Sequence, residues 1–144
     1  MRGVLIATVL GVAAAAPLPA LAAPPPDPCL LITTVDASTA LGYTPPKART
    51  RTVGRFRSCT YTVHGKSMMV ETRRVATQSA FDRGARAQKG LVVPVQGVGA
   101  DAWSANGTTL LLWKNGTEVL MTFAGVTPFV ATQQQLARTA LGRL

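Results

Sequence analysis

Apolar and polar positions repeat with two different periods along this chain, and the switches between them divide it into elements. From Thr33 the spacing is helical: Thr33 can cap, Asp36 stands three residues on in capping-box style, and Gly42 follows Leu41 as a stop. Val35, Ala37, Ala40 and Leu41 would form the buried side of that helix. Two runs rich in Thr, Tyr, Val and Met, 59–63 and 67–75, read as strands, with His64-Gly65-Lys66 as a tight turn between them. Thr77 can cap a second helix that turns Phe81, Ala85 and Gly84 inward and ends at Gly90. On its outer side Asp82 and Arg86 stand four apart.

The clearest local signals come later. Asn106-Gly107 and Asn115-Gly116 each fit a two-residue hairpin turn, where the chain needs positive φ. A turn at Asn115-Gly116 pairs Lys114 with Thr117 and so sets the register. Leu110, Leu112, Val119, Met121 and Phe123 then share the core face. The opposite face holds Thr109, Leu111, Trp113, Glu118, Leu120 and Thr122, which is too apolar to be fully wet, so something covers part of it. Thr127-Pro128 starts a last helix, with Phe129, Leu136, Ala137, Ala140 and Leu141 as its stripe and Gly142 as its close. The order α-β-β-α-β-β-β-α predicts an α+β domain, an antiparallel sheet of about five strands with three helices packed on it. Residues 43–57 follow neither period. Pro45-Pro46 breaks any regular element, and Lys47, Arg49, Arg51, Arg55 and Arg57 then form the densest basic cluster in the chain.

The first residues point to a compartment. Arg2, the apolar stretch 4–16 and the small-x-small site Ala20-Leu21-Ala22 have the layout of a secretory signal peptide, which assigns residues 1–22 to targeting. That stretch is too short to span a bilayer and is interrupted by Pro17 and Pro19. No cysteine directly follows the cleavage site to carry a lipid, and no second long apolar run offers a transmembrane helix. Pro24-Pro25-Pro26-Asp27-Pro28 makes 23–28 a stiff, extended, exposed leader. Residues 29–144 then form a single domain, large enough to bury a core. The protein is expected outside the cytoplasm, in the periplasm or the medium.

The chain carries 15 Lys+Arg against 6 Asp+Glu, a formal net charge of +9. Removing the signal costs only Arg2 and leaves +8. Such a field favours anionic partners, although exported proteins can be basic without any specific one. Cys29 and Cys59 are an even pair, read outside the cytoplasm as one disulfide. Closing a loop of about 30 residues restricts the unfolded chain by roughly 3–4 kcal/mol in the entropic account. A redox pair would prefer Cys-x-x-Cys spacing, and a metal site would need more His or Cys ligands.

Other motifs carry little chemistry. Gly97-Val98-Gly99-Ala100-Asp101-Ala102 matches a loose dinucleotide fingerprint, but a hairpin follows where the pyrophosphate would need a helix N-terminus. Asn106-Gly107-Thr108 and Asn115-Gly116-Thr117 fit the glycosylation acceptor pattern, yet turn geometry already asks for those asparagines. His64 is the only histidine, and a serine triad would need it beside Ser58 or Ser67 with a carboxylate behind. The six acids show no grouping along the chain. No catalytic residue, metal site or cofactor is expected. The basic cluster is the best candidate: extended, it presents guanidinium forks suited to phosphate or carboxylate. One phenylalanine, Phe56, is thin aromatic interleaving for stacking bases, and the compartment disfavours nucleic acid.

Asp27-Pro28-Cys29, Leu30-Leu31-Ile32-Thr33, Ala40-Leu41-Gly42, Cys59-Thr60-Tyr61 and the Gly97–Ala102 turn together resemble a group of exported bacterial proteins. That group, best known as actinobacterial lipoproteins, carries domains of unknown function, family three-five-five-eight among them. The chain departs from the group's pattern in lacking the lipobox cysteine and in placing Ala100 before Asp101. The resemblance implies a sheet with helices on both sides, in a PsbP/Mog1-like arrangement, and export with binding rather than an activity. The expected function is therefore an exported, non-enzymatic binding or accessory protein, engaging an anionic cell-envelope polymer or an exported protein. A small secreted hydrolase, or an inhibitor of a secreted enzyme, stands as the alternative.

Overall fold

A computed structural model describes residues 23–98 and 101–144. The signal-peptide segment 1–22 lies outside the described residues, as do Gly99 and Ala100. The described chain runs α1 (Pro28–Leu31), α2 (Thr34–Leu41), β1 (Arg49–Val53), β2 (Phe56–Val63), β3 (Lys66–Arg74), α3 (Gln78–Arg86), β4 (Val92–Pro94), β5 (Ala102–Ala105), β6 (Thr109–Lys114), β7 (Thr117–Ala124) and α4 (Val130–Arg143). The strands form one antiparallel sheet in the order β1-β2-β3-β7-β6-β5-β4. This is the α+β architecture expected, with seven strands and four helices among the described residues instead of five and three. None of the described helices is long and apolar enough to cross a membrane.

Local rules account for most boundaries. Thr33 and Asp36 close the capping box on α2, and Gly42 ends it in the left-handed region. Thr77 caps α3 through the Ala80 amide. Asn115-Gly116, both at positive φ, form a two-residue turn that pairs Lys114 with Thr117 as predicted. His64-Gly65 does the same between β2 and β3. At Asn106-Gly107 the turn also has positive φ, but Ala105 pairs with Thr109, so the loop holds a third residue, Thr108, as a bulge.

Alternation sorts the strands onto two faces. Cys59, Tyr61, Met68, Val70, Leu110, Leu112, Val119, Met121 and Phe123 make the main core under α1, α2 and α4. Each fully buried large side chain there contributes about 1.5–3 kcal/mol. On the other face α3 lays Phe81 and Ala85 over Leu111, with Trp103, Trp113 and Leu120 beside them. That helix is the cover demanded by the apolar second face of the β6–β7 hairpin. It spans only part of the sheet.

Further expectations need correction. The leader is not a free arm: Arg74 donates to the Ala23 and Pro24 carbonyls, Arg57 to Pro25 and Thr72 to Pro26. Prolines offer carbonyls and no N–H, so side-chain donors from the sheet suffice to pin the segment. Its last proline opens α1, capped by Asp27. Val35 and Phe129 are exposed, at 74% and 84%, and not core. Finally, α4 starts after Phe129, without a side-chain cap, and continues through Gly142 to Arg143.

Candidate functional site

The basic cluster of residues 47–57 divides among three environments once β1 forms. Arg49 and Arg51 sit on one face of β1, opposite Thr60 and Ser58 of β2. Arg55 occupies the two-residue connection to β2, after Gly54 at φ 58°. Lys47 precedes the strand and is exposed. Arg57 lies on the opposite face, in register with Thr72, and bonds Asp27 at 3.0 Å and the Pro25 carbonyl at 3.2 Å. It is thus committed to the leader. Among the described residues Lys47, Arg49, Arg51 and Arg55 make no ion pair; the pairs formed are Arg57–Asp27, Arg73–Glu118 and Arg143–Asp36.

Register extends the Arg49/Arg51 face inward as cross-strand rows. Arg51 continues through Ser58 and Glu71 to Leu120, and Arg49 through Thr60 and Met69 to Thr122. Strands lie about 4.8 Å apart, so Glu71 stands roughly 10 Å from the Arg51 backbone. A third row holds Val53, Phe56, Arg73 and Glu118. There Arg73 lies 5.7 Å from the Phe56 ring centre and pairs with the buried Glu118 at 2.8 Å. The rows run through both halves of the sheet: the Arg51 row reaches Leu120 and then Leu111, which packs under α3. At the outer ends of these rows Arg49, Arg51, Val53, Ser58, Thr60, Met69 and Glu71 border an open depression with exposed or half-buried walls. Among the described residues the two guanidiniums make no ion pair. They stand at the outer rim, over hydroxyls and a thioether, with the Glu71 carboxylate on the inner wall, so the outer rim suits holding an anion.

Cys29 and Cys59 are bonded, with 5.3 Å between their Cα atoms. The bridge ties α1 to the buried side of β2, and Cys29 Sγ lies 3.4 Å from the Thr50 hydroxyl. Two further anchors frame the same corner. Burial, and after it the charges of Asp36 and Asp27, push the Tyr61 phenol up to about 12, so it stays a neutral donor to the Ile32 carbonyl. Burial alone would raise Asp36, but hydrogen bonds from Arg143 and Thr33, with the Arg143 charge, outweigh it and lower its carboxyl below 3.8.

His64 occupies its turn at φ 48°, its ring 4.8 Å from that of Tyr43. Asp101 accepts from Gln78 and leads into β5, so a strand, not a helix, follows the Gly97 turn. Asn106 also holds the neighbouring loop, accepting from the Leu91 amide and donating to the Lys89 carbonyl. Among the described residues no three His, Cys, Asp or Glu side chains are grouped as metal ligands. The sequence pattern did not single out Ser58, Thr60, Met69 or Glu71 as neighbours of the arginines. The Arg-Thr-Arg-Thr-Val alternation of β1 was the signal that places them there. No family model, curated protein or solved structure matches the chain.

Proposed function

We propose that this chain is an exported, non-enzymatic binding module that holds an anionic partner on the Arg49/Arg51 face of β1. One observation carries the proposal: two guanidiniums share a face of an exposed edge strand, make no ion pair among the described residues, and border the half of the sheet that α3 leaves open. The signal-like layout of residues 1–22 and the Cys29–Cys59 bridge support export. The net charge of +9 supplies long-range attraction toward the same class of partner.

A salt titration tests it. Binding to polyphosphate and to polyglutamate should weaken steadily between low and physiological salt. The Arg49→Gln/Arg51→Gln double variant should lower affinity about ten-fold, as expected for two exposed charge-assisted contacts. Affinity that ignores both salt and the double substitution would refute the proposal.

A further inference from the structure

The two edges of the sheet are built differently. At one end, β4 has three residues and finishes on Pro94, which has no N–H to offer a neighbour. At the other, β1 has five residues, contains neither glycine nor proline, and is exposed throughout. A two-residue connection makes Val53 and Phe56 the hydrogen-bonded pair next to the turn. Alternation then directs the backbone groups of Arg49, Arg51 and Val53 toward β2. The Ser58 hydroxyl contacts the Arg51 carbonyl at 3.4 Å, which agrees with that direction. Thr50 and Thr52 therefore turn their N–H and C=O groups outward, where among the described residues β1 has no neighbouring strand.

Charge decides what can pair there. A second copy of β1 would bring arginine beside arginine, and like charges on neighbouring strands repel. An acidic strand has the opposite relation. Arg49 and Arg51 are spaced by two residues, about 6.8 Å, and carboxylates at alternate positions of an extended peptide have the same spacing. Val53 follows on the same face at 55% exposure, with Phe56 opposite it at 38%, so an apolar residue suits the third position.

We propose that β1 accepts an extended acidic segment of another polypeptide as an added strand. In the antiparallel sense its pattern runs apolar-x-acidic-x-acidic from N- to C-terminus, the last acid facing Arg49. This deepens the anion-binding proposal and rests on it, because the same two arginines select the guest. The outward amides of Thr50 and Thr52 supply what a soluble polyanion would not use.

The probe is a synthetic peptide, Thr-Val-Thr-Glu-Thr-Glu-Thr, together with two N-methylated forms and a Glu→Gln form. N-methylation of the two threonines between the valine and the second glutamate blocks the bonds to Thr50 and Thr52. The same change on the two glutamates alters amides that face away from β1. The first form should bind at least ten-fold more weakly, the second within about two-fold of the parent, and the Glu→Gln form at least ten-fold more weakly. Equal binding by both methylated forms, still dependent on salt and on Arg49 and Arg51, overturns strand addition and leaves the anion-binding face standing. Binding of polyphosphate but not of any peptide overturns it in favour of a non-peptide polymer. Peptide binding that ignores salt and the Arg49→Gln/Arg51→Gln change refutes the face as well. If neither peptide nor polyanion binds, the arginines only guard the edge against pairing, and both proposals fall.

Discussion

Asp36 holds three groups at once: it accepts from the Thr33 amide and hydroxyl at 2.8 Å each and from Arg143 at 2.6 Å. Arg143 also reaches the Leu31 carbonyl, so one carboxylate joins α1, α2 and the end of α4. Because the folded carboxyl titrates below 3.8, the stability it contributes is complete above that pH and is lost as pH falls through the lowered folded value. Asp36→Asn should therefore cost about 1–2 kcal/mol near neutrality and flatten the acid limb of a urea-denaturation series run against pH. The Thr33–Asp36 half of this device was legible, since a capping box is a local spacing. The Arg143 half was not, because its partners are 107 residues apart. Val35 and Phe129 failed for a related reason: periodicity marks apolar positions, but a helix that packs on one side leaves some of them in water.

At the scale of elements, hairpins were the most legible and β1 the least. Asn115-Gly116 specifies both a turn and a register, and the apolar residues assigned in β6 and β7 fall on their expected faces. The strand β1 alternates strictly, but between arginine and threonine, so a search for apolar alternation passes over it. Read as one basic stretch, Arg57 groups with Arg49 and Arg51, but the pleat puts it on the other side of the sheet. The leader's contacts were hidden for a different reason: its partners, Arg57 of β2 and Thr72 and Arg74 of β3, lie 32 to 51 residues along the chain, beyond any local spacing. A clean separation of phenotypes follows. Arg57→Ala should lower stability by about 1–2 kcal/mol, from the lost bonds to Asp27 and Pro25, while leaving polyanion affinity within about two-fold. Calorimetric unfolding and binding titration on the one variant check both halves.

Across the whole molecule, helices distribute unequally over the sheet. Three pack on the main core, closed by the Cys29–Cys59 bridge, and α3 alone covers part of the other side. Fold class and disulfide were both readable, because each depends on composition and local order. The division into a covered and an open half was not, since it depends on where α3 lands. That division leaves Arg49 and Arg51 facing solvent on an unprotected edge, and the functional account depends on it. Amide chemical-shift mapping with short polyglutamate tests it most directly. The account predicts that the largest shifts fall on Arg49–Val53 and on Ser58 and Thr60 beside them. Shifts spread evenly over the basic residues, or centred on α3 or α4, would contradict it.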